Sequence, residues 1–189
     1  MKKNLLFFAF LMLFLSSTNA QKLANLDKSP MDMAYYPNAF AHDRKFSPEK
    51  VGEKAFARVT YSRPAKKDRE VFGKLIPFGK VWRTGANEYT EFKFYQDVVI
   101  QGKNIAAGTY SLFSIPNENE WTIILNSDLD YWGAYSYNDT KDVLRVTVPV
   151  KKADAVVENF TIEFSKKADN SVVMQLAWDT TLVELPLSF

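Results

Sequence analysis

The stretch Gly79–Glu88, GKVWRTGANE, sets a lysine, a tryptophan, an arginine, two glycines, an asparagine and a glutamate between two β-like segments. Glycine supplies tight backbone there, and so dense a polar cluster points to a built feature. Read as a ligand site, Lys80 and Arg83 clamp an anionic group. Trp82 offers a flat face to a sugar or aromatic ring, and Asn87 and Glu88 give directional hydrogen bonds. Read as architecture, Arg83 pairs with Glu88 inside the domain while Asn87 closes an irregular loop whose buried backbone needs partners. A third reading makes Glu88 the general acid or base of a hydrolase or lyase beside Arg83, although a single carboxylate without a partner is a thin basis for it.

A second constellation, Tyr131, Trp132, Tyr135 and Tyr137 around Gly133, carries polar-tipped aromatics of the kind that line glycan platforms and also fill the ends of sandwiches. Arg63, before Pro64, adds a cation at a strand end. Other chemistries fail on inventory. His42 is the sole histidine and cysteine is absent, so serine or cysteine catalysis and zinc or iron ligation lack their groups. Ser47–Lys50 spells S-x-x-K without its companion motifs, and Ser47 before Pro48 reads as a helix cap. Gly73 and Gly79–Lys80 miss the phosphate-loop spacing, with Val81 where a magnesium-binding hydroxyl belongs. Asn126, Asp128 and Asp130 open like a calcium loop, but Tyr131 and Tyr137 occupy its glycine and glutamate positions. A solvated hairpin turn is expected, with an irregular calcium site as the alternative. No metal and no cofactor are expected.

These residues must be positioned by strands. From Ala55 onward the apolar period is two, with Ala57, Val59 and Tyr61 on one face. Strand-like runs follow at Glu91–Tyr95, Val98–Ile100, Thr109–Ile115, Trp121–Asn126, Val143–Val150, Phe160–Phe164, Val172–Trp178 and Leu182–Leu185. A turn of helix is expected near Glu70–Lys74 and Ser136–Asp142. The fold class is all-β, an antiparallel β-sandwich or jelly-roll-like barrel with at most short helices. Residues 55–189 form a single β domain, and residues 21–54 an extended N-terminal arm that docks through Tyr35, Tyr36 and Phe40.

Lys2 and Lys3 precede an apolar run from Leu5 to Leu15 and a small-residue region ending at Ala20, the layout of a secretory signal peptide over residues 1–20. The run is too short to span a bilayer. Export to the periplasm or cell exterior is expected, with cleavage before Gln21. Without Lys2 and Lys3 the chain's 24 basic side chains become 22, equal to its 22 acidic ones, so the attraction to phosphate backbones is missing and nucleic acid is not an expected partner. A chain of this size builds one core without disulfides.

Several segments resemble, in order, an uncharacterised family of exported bacterial proteins, domain of unknown function twenty-nine eleven. They are LDKSPMDMAYYP at Leu26–Pro37, YSRP at Tyr61–Pro64, VFGKLIPFGKVWRTGANE at Val71–Glu88, AGTYSLFSIP at Ala107–Pro116, EWTIILN at Glu120–Asn126, WGAYSY at Trp132–Tyr137 and DVLRVTVPV at Asp142–Val150. The resemblance implies an extracytoplasmic, mostly β domain and brings no activity, cofactor or catalytic residue. The expected function is therefore a non-catalytic module that binds a glycan, a small anion or a partner. Its candidate residues are Lys80, Trp82, Arg83, Asn87, Glu88, Arg63, Trp132 and Tyr135. The alternatives are the Glu88 enzyme and a purely structural envelope protein.

Overall fold

Alternation of burial follows alternation of sequence most cleanly after Asp142, where Leu144, Val146 and Val148 are buried and Val143, Arg145 and Thr147 face water. The computed structural model describes residues 23–167 and 171–189; the expected signal peptide lies outside the described residues. Nine strands are described: β1 (Met31–Tyr36), β2 (Ala57–Ser62), β3 (Thr90–Phe94), β4 (Val98–Ile100), β5 (Lys103–Ile105), β6 (Gly108–Pro116), β7 (Glu120–Asn126), β8 (Asp142–Lys166) and β9 (Val172–Leu187). Helix is confined to α1 (Phe40–Phe46) and two single 3-10 turns, Pro48–Lys50 and Asp139–Lys141. The fold is all-β and sandwich-like.

A seven-stranded antiparallel sheet runs β1-β2-β3-β6-β7-β8-β9, and β4 with β5 forms a small hairpin sheet. The sheet curls because β8 changes partner along its length. Its first half pairs with β7 through Pro149, and its second half pairs with β9, with irregular register between Lys152 and Thr161. That bend carries the second half of β8 back over β2, where Phe160 meets the Tyr61 ring edge-on at 5.8 Å. The core between the facing layers is aromatic: Trp82, Trp121, Trp178, Phe72 and Phe160 contact one another.

Two sequence expectations change here. Val143–Val150 and Phe160–Phe164 belong to one strand, as do Val172–Trp178 and Leu182–Leu185. The polar stretch between the first pair stays hydrogen-bonded yet mostly exposed, so it has no apolar period to read. Glu70–Lys74 forms turns instead of helix, tied by a bridge between Phe72 and Ile76. The residues read as an arm contain β1 and α1, with Tyr36 stacked on Phe189 at 5.7 Å and Phe40 buried.

The curl brings the Phe160–Phe164 edge of β8 to β1 and β2 without a backbone ladder. Side chains bridge this seam instead. Asn38 Nδ2 donates to the Phe164 carbonyl at 2.8 Å, and Arg63 Nε donates to that of Phe160 at 3.1 Å. The Tyr61 hydroxyl accepts from the Ile162 amide at 2.9 Å and donates to the Ile162 carbonyl at 3.3 Å. Just beyond, backbone pairing resumes where the Phe160 amide donates to Pro64 and the Lys66 amide to Glu158.

Candidate functional site

The segment from Trp82 to Thr90 is an irregular loop that satisfies itself. The Trp82 amide donates to the Ser114 carbonyl at 2.7 Å and receives the Ser114 amide at 2.9 Å on its own carbonyl, which locks the loop onto β6. Its indole Nε1 donates to the Gly85 carbonyl at 3.0 Å, and the buried Thr84 hydroxyl lies 2.9 Å from that of Ser114. The Thr90 hydroxyl closes the loop on the Thr84 carbonyl at 2.7 Å. Gly85 is required by proximity. A Cβ there would stand 2.9 Å from Thr90 Oγ1 and 3.2 Å from the Ser62 carbonyl. Trp82, 4% exposed, thus anchors the loop in the core while its neighbour Arg83 is half-buried near the surface.

A second loop, between β7 and β8, is held at its base by polar groups. Asn126 Nδ2 donates to the Asn138 carbonyl and to Asp142, which also takes the Tyr137 hydroxyl at 2.6 Å and pairs with Arg145 Nε at 3.0 Å. Burial and the carboxylate of Asp142 push the Tyr137 hydroxyl up to about 12. The two loops are stitched by backbone bonds from the Tyr89 amide to Tyr131 and from the Gly133 amide to Asn87. This stitch sets Trp132 against Arg83. The guanidinium carbon lies 5.8 Å from the centre of the Trp132 ring, and Trp132 stacks on Tyr135 at 5.8 Å and 10°. Trp132 is 57% exposed and Tyr135 86%.

Arg83 has no hydrogen bond or ion pair to any acceptor among the described residues, and its Nε is sealed from solvent. Burial draws the guanidinium below its ordinary value, opposed by the neighbouring Tyr135. A cation beneath an exposed aromatic pair, with no counter-ion, is arranged to receive an anion. The model of the family described as "Protein of unknown function (DUF2911)" matches residues 44–187. The chain belongs to this family. No curated protein and no solved structure matches it.

Within the DUF2911 domain the sequence candidates separate into three groups. Arg83, Trp132 and Tyr135 come together. Trp82 is enclosed by Phe72, Trp121, Phe160 and Trp178, so its ring presents no face to a ligand. Arg63 belongs to the seam, where its remaining nitrogens bond Asp32 at 2.8 Å and Thr161 at 2.7 Å, and it lies apart from Arg83. Lys80 and Glu88 are exposed and form no ion pair among the described residues. The enclosed Arg83–Glu88 pair weighed from the sequence does not form. Glu88 instead meets Trp132 through a backbone bridge. Asn87, with φ of 60°, donates to Asp27, whose carboxyl the Ser29 amide and Asn87 hold below its ordinary value.

The expected calcium loop is a polar turn, in which Asn126 Oδ1 accepts the Asp128 amide at 2.9 Å. Among the described residues no cluster of three or more acidic or histidine side chains could hold a metal, and no helix is long and apolar enough to cross a membrane. Sequence reasoning missed Tyr89. It is 8% exposed, packs on Phe113, and its buried hydroxyl has no hydrogen-bond partner among the described residues. An aromatic directly after a polar cluster was the available signal, but a tyrosine at the start of a strand reads as core.

Proposed function

We propose that the protein is a non-catalytic, exported binding module that captures a small anion, or the acidic group of a glycan, at Arg83 beneath Trp132 and Tyr135. The observation that carries this reading is the half-buried guanidinium with no acceptor on any nitrogen among the described residues. Arg58 also has a sealed Nε, but its Nη2 holds Glu91 at 2.8 Å, so its charge is met. A desolvated cation without an acceptor loses the bonds water gave it, and a carboxylate or phosphate restores them in charge-assisted, bidentate form. The stacked pair supplies a flat wall for a sugar ring. The one histidine lies elsewhere, bonded to Asp43 in α1, so the chain brings no imidazole base to this place. Export rests on the charged and apolar N-terminal run.

The test is a titration with glucuronate, glucose and inorganic phosphate, followed by tryptophan fluorescence. Saturable change with glucuronate or phosphate, absent with glucose and lost in Arg83→Gln, supports the site. Equal titration of wild type and Arg83→Gln, or no saturation with either anion, overturns it. Intact-mass measurement of the exported protein tests the localisation: a mass retaining residues 1–20 contradicts cleavage before Gln21.

A further inference from the structure

Beside the stitched loops, and apart from Arg83, opens a cleft of about 330 Å³ between the start of β1 and the β7–β8 loop. Its apolar walls include Met31, Leu129 and Tyr131, and its charges are acidic. Glu91 is paired with Arg58, whereas Glu88 and Asp130 are exposed and have no ion pair among the described residues. An acidic rim alone is a solvated surface. What distinguishes this one is Tyr89, which lines the cleft from its buried side, with a hydroxyl cut off from water and from every partner among the described residues. A buried hydroxyl left unpaired is unusual, and a ligand atom is one way to satisfy it. Burial, with Asp128 and Tyr131 adding to it, pushes that hydroxyl up, so it stays neutral and keeps an oxygen lone pair for a donor.

We propose that this cleft is a second binding site, which takes the ammonium group of a small amine carried on an apolar stem. The ammonium has three donors and no acceptor, matching two free carboxylates and one hydroxyl oxygen. The half-exposed Tyr131 ring adds a face that attracts a cation, and Met31 and Leu129 accept the stem. The inference goes beyond the anion site, since it uses neither Arg83 nor the Trp132–Tyr135 pair.

The probe is phenethylamine, protonated at neutral pH, titrated calorimetrically into the full chain against 2-phenylethanol, which has the same stem without the charge. Saturable binding of the amine, at least tenfold weaker for the alcohol, is expected on the scale of one lost charged contact. Glu88→Gln with Asp130→Asn should weaken the amine by about tenfold or more, and Asn suits the left-handed backbone of Asp130, φ 64°. Tyr89→Phe keeps the ring on Phe113, so the fold is retained, and should weaken the amine severalfold. Arg83→Gln, which removes the anion titration, should leave the amine titration intact. The proposal is overturned by alcohol binding as tight as amine binding, by an unchanged affinity in the double variant, or by the absence of saturable amine binding.

Discussion

The seam between β8 and β1–β2 and the stitched loops at Arg83 both put polar groups into partly buried surroundings, and they treat them oppositely. At the seam, the outward carbonyls of Phe160, Ile162 and Phe164 and the Ile162 amide are each met by a side chain. Arg63 there spends its nitrogens on Phe160, Asp32 and Thr161. At the loops, Arg83 and the Tyr89 hydroxyl are left unmet. Two arginines that look alike in sequence thus differ in role: one completes the barrel, and the other awaits something the chain does not provide.

The sharpest way to break this contrast is a pair of matched substitutions. Tyr61→Phe removes the oxygen shared by the Ile162 amide and carbonyl and leaves two buried backbone groups unmet, so it should cost roughly 2–4 kcal/mol in a denaturant melt. Tyr89→Phe removes a hydroxyl with no partner and should change stability by about 0.5 kcal/mol or less. Equal losses in the two variants would erase the distinction. Next in size is Gly85→Ala, whose added methyl presses on Thr90 Oγ1 and the Ser62 backbone, with an expected cost of about 1–3 kcal/mol. A neutral result in thermal unfolding would mean that the loop beneath Arg83 is looser than its hydrogen bonds indicate.

Arg83→Met should be neutral, or stabilising by up to about 1 kcal/mol, because it replaces an uncompensated, half-buried charge with an apolar stem of similar length. The large loss that an enclosed ion pair would produce on breaking is not expected, since no such pair exists; a drop of roughly 3 kcal/mol would restore it. The smallest effect is alkaline. Tyr137 is raised from 10.0 to about 12, so its neutral form is favoured in the folded state. Its stabilising contribution is complete below pH ~10 and is lost as pH rises through about 12. Tyrosinate absorbance should show one late-titrating group among the nine tyrosines, missing in Tyr137→Phe.

The alternating runs made the all-β class legible, and strand bounds such as Val98–Ile100 followed directly from it. Pairing through residues 151–159 was hidden, because hydrogen bonding continues where burial, and with it periodicity, stops. The Gly79–Glu88 cluster was legible as a built feature, yet the roles within it were not. Trp82 and Arg83 are adjacent, and neighbours on an extended chain face opposite ways, so one had to be core if the other was surface. Choosing between them needed the positions of Trp121 and Trp178, which come from distant strands. Arg63 misled for the same reason, since its acceptors lie 97 and 98 residues along the chain.

That sequence distance has a kinetic side. Closing a bare loop of about a hundred residues costs on the order of 4 kcal/mol, against roughly 1 kcal/mol returned by a single hydrogen bond. No seam bond can therefore form first. The strands between, β3, β6 and β7, must already have drawn the two edges together, and only then do Asn38, Tyr61 and Arg63 engage as a set. The seam is in this sense a latch thrown last, whose closure reports that every strand before it has found its neighbour.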